Sequence, residues 1–245
     1  MAKQTGLGHS FWVGGNDISG DTQQVKSANP IQTLDGTDIT QSANARLFGH
    51  RDGNMDFTVF MDPTGAHPVL SALPTTDTLM TWALGSALGN PAACLVAKQI
   101  NYDPTRGTDG SLLIAVHGDA NGYGTEWGVQ LTAGLRTDTA ATNGTSLDQG
   151  AATNFGAQAY LQCTAFTGTD VTVHVQDSAD NVTFTDVTGL VFSATTAAQT
   201  WQRLATANNA TIRRYVRVAT TTSGGFTSAT FAVVLNRNPI AGVAF

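Results

Sequence analysis

Apolar and polar residues alternate along much of this chain, most clearly between Ala92 and Ala133. Val96, Ile100 and Tyr102 alternate with Leu95, Ala97, Gln99 and Asn101, and Leu112, Ile114 and Val116 alternate with Leu113, Ala115 and His117. A period of two puts one set on a buried face and the other outside, so both runs are predicted strands. The residues between them, Asp103, Pro104, Thr105, Arg106, Gly107, Thr108, Asp109 and Gly110, are turn formers. Hairpin loops ordinarily take about two to five residues. The longer, charged tip is therefore a candidate for contact outside its own sheet. A third strand, Thr125 to Leu131, follows the Gly-rich turn Asn121 to Gly124.

The same patterning predicts a strand, a turn at Asn29-Pro30 and a second strand-like piece over Thr22 to Ile39. Further strands follow at Met55 to Met61 and Thr78 to Leu84. Thr40 to Gly49 reads as a short helix, capped by Thr40 or Ser42 and stopped by Gly49. His67 to Leu73 reads as one or two helical turns, with Pro68 in the first turn and Pro74 beyond the end. Near the N-terminus, Phe11-Trp12-Val13 is an apolar triplet within a Gly/Ser-rich arm (Met1 to Asn16). It is able to dock on its own core or to contact a neighbour.

Arg136 to Gly156 changes to Thr, Ala, Gly, Asn and Asp, the composition of a boundary. We therefore expect two domains, 1–150 and 151–245. Beyond the boundary, seven short strands are expected at Ala157 to Phe166, Val171 to Gln176, Val182 to Val187, Leu190 to Ser193, Trp201 to Ala205, Ile212 to Ala219 and Thr227 to Asn236. That spacing predicts a second β-sandwich of jelly-roll or immunoglobulin-like type. The expected fold class is mainly β, a sandwich or barrel with a short flanking helix followed by a C-terminal β-sandwich.

Only 12% of the 245 residues are charged, against about a quarter in ordinary domains. Thr, Ala and Gly leave a neutral surface suited to close approach. Residues 1–150 carry seven basic and fourteen acidic side chains, whereas 151–245 carry five and four. An acidic first half does not grip nucleic acid, because that affinity comes mainly from Lys and Arg neutralising phosphates. It is compatible with surrounding DNA. Cys94 and Cys163 sit in apolar strand-like runs, where a free thiol behaves as a small hydrophobe. MAKQTGLGHSFWVGG has no apolar stretch of signal-peptide length, and no run approaches the roughly 18 apolar residues of a membrane helix. Synthesis and folding in a cytoplasm are expected.

Catalytic signatures are absent from the sequence: there is no GxSxG, P-loop or HExxH, and the five histidines lack metal-ligand spacing. Asp103 and Asp109 with Glu126 are the residues able to form a glycosidase-type carboxylate pair, but nothing fixes their separation. Asp177, Asp180 and Asp186 flank a turn that suits either a calcium ion or a plain Asx turn. Arg213, Tyr215 and Arg217 point one way on a strand and Arg214 the other, so at least one guanidinium meets a core or interface and wants a carboxylate. Trp201, Tyr215 and Phe226 suit either a sugar platform or core packing. No enzyme activity, cofactor or metal is expected.

The segments ARLFGHRDGNMDFTVFMDPTGAHPVLSALPTTD, ALGNPAACLVAKQINYDPTRGTDGSLLIAV, GYGTEWGVQLTAG, YLQCTAFTGTDVTVHVQDSADNVTFTDVTG and RRYVRVATTTSGGFTSATFAVVLNRNP carry a resemblance covering most of the chain. It resembles the major tail (tail tube) proteins of long-tailed, siphovirus-type actinobacteriophages. The resemblance implies a tail-tube-type β-sandwich or barrel whose copies form hexameric rings, stacked into a tube through which DNA passes without specific binding. It also implies contacts with the tape measure, terminator and distal tail proteins, and a place in the virion tail after assembly in the host bacterial cytoplasm. No membrane partner is implied. The tip Asp103 to Gly110 and the arm residues Phe11, Trp12 and Val13 would make inter-ring contacts. Residues 1–150 would line the lumen with carboxylates, and 151–245 would decorate the outside. VTVHVQDSADNVTFTDV followed by RRYVRVA also resembles the sandwiches of carbohydrate-binding modules and discoidin-type domains, which implies an alternative, a glycan-binding adhesin or decoration module.

Overall fold

The computed structural model describes residues 5–240, so the arm expected over residues 1–16 begins outside the described residues. The chain enters through β1 (Ser10–Val13), β2 (Asn16–Asp17) and β3 (Thr22–Ala28). It continues through β4 (Ile31–Asp35), β5 (Arg46–Arg51) and β6 (Asn54–Phe60) to a short helix, α1 (Ala66–Leu70). Next come β7 (Thr78–Ala83), β8 (Pro91–Gln99), β9 (Asp103–Arg106), β10 (Leu112–Ala120) and β11 (Glu126–Gln130). Two short strands follow, β12 (Arg136–Asp138) and β13 (Leu147–Asp148). The last third holds β14 (Ala157–Gly168), β15 (Thr172–Ser178), β16 (Thr185–Val191), β17 (Thr200–Ala205), β18 (Tyr215–Thr221) and β19 (Phe226–Arg237). The protein is mainly β and is built from several sheets.

Period-two patterning sets the layers. Met55, Phe57 and Val59 of β6 point inward, while Asp56 and Thr58 point out. Phe57 stands opposite Val116 of β10 and Val59 opposite Ile114. Strands β1, β7, β8, β10, β6 and β3 pair antiparallel side by side in that order. Both ends of this run share one core, with Phe11, Val13, Met80, Leu95 and Ile114 packed on Ala66 and Leu70 of α1. Asp21 accepts a hydrogen bond from the Ala66 amide at 2.8 Å, which fixes the start of the helix.

A second core lies between the β14–β19 pair and a four-stranded sheet ordered β13, β18, β15, β16. Leu161, Cys163, Phe231 and Val233 on one side meet Val173, Val175, Val216 and Val218 on the other. The two cores are joined in three ways. Strand β11 pairs with β8 on one side and β19 on the other, so one 13-stranded sheet runs through both regions. A third cluster packs Trp12, Leu79, Cys94 and Val96 against Tyr160, Ala232 and Val234. Finally, the buried Gln162 side chain of β14 accepts from the Gly15 amide at 2.7 Å and donates to Leu79 O at 2.9 Å and Thr81 Oγ1 at 3.0 Å. Gly15 has φ +80°, and a Cβ there would lie 2.4 Å from Thr200 N. Only glycine allows this approach.

Four expectations are corrected. Thr40 to Gly49 is not helical: residues 36–45 form a loop and Arg46–Arg51 is a strand. A helix of that length needs a buried apolar stripe, and Leu47 and Phe48 instead pair across from Leu34 and Thr33. The tip at 103–110 is shorter than eight residues, because Asp103–Arg106 pairs with Leu112–Ala115, leaving a turn closed by Gly107 N to Ser111 O at 2.7 Å. Phe11, Trp12 and Val13 are buried in their own fold, each at 2% exposure or less, and so do not reach a neighbour. The strands expected at 182–187 and 190–193 are one element, β16.

Candidate functional site

Strands β3 and β6 form a hairpin, and β4 and β5 are its distal continuation. The break lies where Asn29-Pro30 faces Asp52-Gly53. Pro30 has no amide to donate, and its carbonyl accepts from Asp52 N at 3.0 Å. Beyond the break, β4 and β5 pair only with each other. Leu34 stands opposite Leu47 and Thr33 opposite Phe48, so consecutive pairs place apolar side chains on both faces. Ile31, Leu34, Leu47 and Phe48 are all exposed, Phe48 at 83%. None of the three cores includes a residue of this ribbon. A two-stranded ribbon is marginally stable alone in water, and both of its edges offer unpaired backbone groups.

The loop at the end of the ribbon is fastened locally. Asp35 accepts from the Thr37 amide and hydroxyl, and Asp38 from those of Thr40, which holds both carboxyls below their ordinary range. Gly36 N donates to Ala45 O at 2.9 Å. The root is gripped by the loop before β11. Thr125 Oγ1 donates to Ala28 O at 3.2 Å, and a Cβ at Gly53 would lie 2.6 Å from Thr125 N.

Next to this root sits a buried ion pair that the sequence did not suggest. Arg203 of β17 contacts both Glu126 oxygens at 3.2 and 3.3 Å, with side chains 8% and 2% exposed. Its Nε donates to the Tyr160 hydroxyl at 3.2 Å, and its guanidinium lies 3.6 Å from the Tyr123 ring centroid. Burial raises the Glu126 carboxyl, against the pull of Arg203 and of Arg51 on the hairpin. A lone Glu in an alternating strand gives no hint that its partner lies 77 residues away.

The other candidate residues are not gathered into one place. Asp103 accepts from Asn101, Asp109 binds Ser111, and Glu126 is taken by Arg203, so the three carboxylates serve separate local roles. Asp180 accepts from the amides of Val182 and Thr183 and from the Ser178 hydroxyl, an Asx-type turn. Of the arginines, Arg213 meets the buried Asp177, and Arg214 grips Asp148 through two bonds of 2.7 and 2.6 Å. Arg214 holds the Asp148 carboxyl down at about 2. Phe226 is in the second core, Trp201 packs on the third, and Tyr215 lies under Arg214, so no shared sugar platform forms. Cys94 and Cys163 are free and buried. Among the described residues, no cluster of three or more His, Cys, Asp or Glu could hold a metal, and no helix is long and apolar enough to cross a membrane.

A cleft of about 580 Å³ lies where the two cores meet, lined by Asn16, Asp17, Thr64, Asp77, Gln199 and Trp201 among others. Its carboxylates are already engaged: Asp77 by Lys98 and Asn121, Asp17 by Ser19.

No family model matches this chain, and no curated protein does. Among solved structures, one similar chain is described as the SPP1 Dit protein, a paradigm of the hub adsorption apparatus in phages infecting Gram-positive bacteria. It is 13% identical, with 93% of this chain and 98% of that one covered, at a TM-score of 0.35. A likeness this loose transfers nothing from that protein to this one.

Proposed function

We propose that this protein is a structural subunit of a phage virion tail, and specifically that it is the tail tube subunit. In this reading copies close into hexameric rings, and the rings stack into the conduit for DNA. The observation that carries the reading is the projecting hairpin 31–51, with exposed apolar side chains on both faces that belong to none of the cores of the chain. Single exposed apolar residues are ordinary, but an apolar two-stranded ribbon standing clear of the body implies an interface. A contact between different patches of identical copies closes into rings or propagates as a filament. The resemblance of the sequence to tail tube proteins supports further copies of the chain as the partner.

Residues 1–150 carry the hairpin and the excess of carboxylates, and we place them at the bore, where negative charge lets DNA slide. Residues 151–245 then face outward. The turn at 107–110, exposed or nearly so, is a secondary contact between rings. The tape measure, terminator and distal tail proteins would cap the tube, which would assemble in the host cytoplasm.

Sedimentation velocity of the intact purified protein over a concentration series, with negative-stain images of each sample, tests this. Rings or tubes growing with concentration are the expected result. A monomer at every concentration would contradict self-assembly.

A further inference from the structure

On the outer face of the β3–β6–β10 sheet, His117 sits between two carboxylates. Its Nδ1 contacts Asp56 Oδ1 across the β6–β10 pair, and its Nε2 lies 2.7 Å from Asp119 Oδ1 on its own strand. Ionised carboxylates only accept hydrogen bonds, and a neutral imidazole donates from one nitrogen alone. Both contacts are satisfied together only by the imidazolium. The other oxygen of Asp56 lies 3.6 Å from Lys26 Nζ on β3, so Asp56 bridges all three strands just inside the point where the hairpin leaves the body. The remaining charges around the face are engaged elsewhere. Lys98 of β8, opposite Asp119, binds Asp77 at 2.8 Å, and Asp103 of β9 accepts from Asn101.

We propose that His117 is a proton-operated latch at the base of the projecting hairpin, closed in its charged form and released when the ring loses its proton. The latch does not depend on what the hairpin contacts.

Hydrogen bonding to Asp56, followed by that to Asp119, holds the His117 pKa above its ordinary value against the opposing effect of burial. The sign follows directly. The folded state binds this proton more tightly than the unfolded chain, so the contribution is complete below about pH 6.5 and disappears as pH rises through the raised value. Deprotonation breaks one of the two contacts and leaves a net negative charge among Lys26, Asp56, His117 and Asp119. His174 on β15 makes no such demand, because its Nε2 partner is the Thr221 hydroxyl, which can donate as well as accept.

An NMR titration of the His117 ring in the intact protein reads the latch directly. Hydrogen exchange at residues 31–60, corrected for intrinsic rates, reads its release. The ring should titrate above the ordinary histidine value, so at pH 7 its imidazolium fraction should exceed the roughly one quarter of an ordinary histidine. Exchange should rise several-fold above the transition. In Asp119→Asn the new amide can donate to a neutral Nε2, so the ring should titrate lower and the rise in exchange on deprotonation should vanish. A ring titrating at or below the ordinary value, or identical pH profiles for wild type and Asp119→Asn, would overturn the proposal.

Discussion

Replacing Arg203 with alanine should destabilise the protein by about 3–5 kcal/mol, the usual cost of leaving a buried charge without its partner. Glu126 is 2% exposed at its side chain, so its charge has little access to solvent. The substitution also removes the hydrogen bond to Tyr160 and the stacking on Tyr123. Urea unfolding curves measure the loss. Without Arg203 the Glu126 carboxyl should rise further, so folding above the ordinary carboxylate range must take up a proton. The loss should therefore be greater at pH 7.5 than at pH 4.5. The double variant Glu126→Leu/Arg203→Met should be less destabilised than Arg203→Ala, because it leaves no charge behind. An equal loss in both would show that packing, not the unpaired carboxylate, sets the cost.

The triple variant Leu34→Ser/Leu47→Ser/Phe48→Ser should behave in the opposite way. These side chains touch no core, so the unfolding midpoint should stay close to wild type, within about 0.5 kcal/mol as for other surface changes. Association should collapse. Burying each apolar side chain is worth roughly 1.5–3 kcal/mol, so losing all three weakens each contact by about a thousandfold or more, given tenfold per about 1.4 kcal/mol. Sedimentation velocity beside a thermal melt separates the two effects. A variant that still forms the wild-type assembly would remove the hairpin from the interface.

Much of the β framework could be read directly in the sequence, because one-sided burial leaves a period of two. Met55 to Met61 and Leu112 to His117 alternate cleanly and correspond to β6 and β10. Strand β8 is buried on nearly its whole length on both faces, between two cores, yet its apolar run still marked it. The failures lie where side chains face water on both sides. Arg46 to Arg51 has no buried face, so its pattern did not distinguish strand from helix, although the Thr, Ser and Asn before it favour turns. In the same way Asp103–Arg106 is exposed throughout and looked like loop.

The site was less legible than the fold. The apolar residues Leu34, Leu47 and Phe48 are plain in the sequence, but their exposure depends on a hairpin outrunning its sheet. Gln162 and the Glu126–Arg203 pair depend on contacts made across 77 residues or more, which local patterning does not encode. The requirement that an arginine near 213–217 find a carboxylate did follow from alternation alone, and Asp177 and Asp148 fill it.

A cryo-electron microscopy reconstruction of the assembled protein, resolved well enough to place side chains, tests the central claim most directly. The account predicts stacked rings in which Phe48 and the Leu34–Leu47 pair of each hairpin are covered by another copy of the chain. Copies joined through other surfaces, with residues 31–51 standing free in solvent, would contradict it.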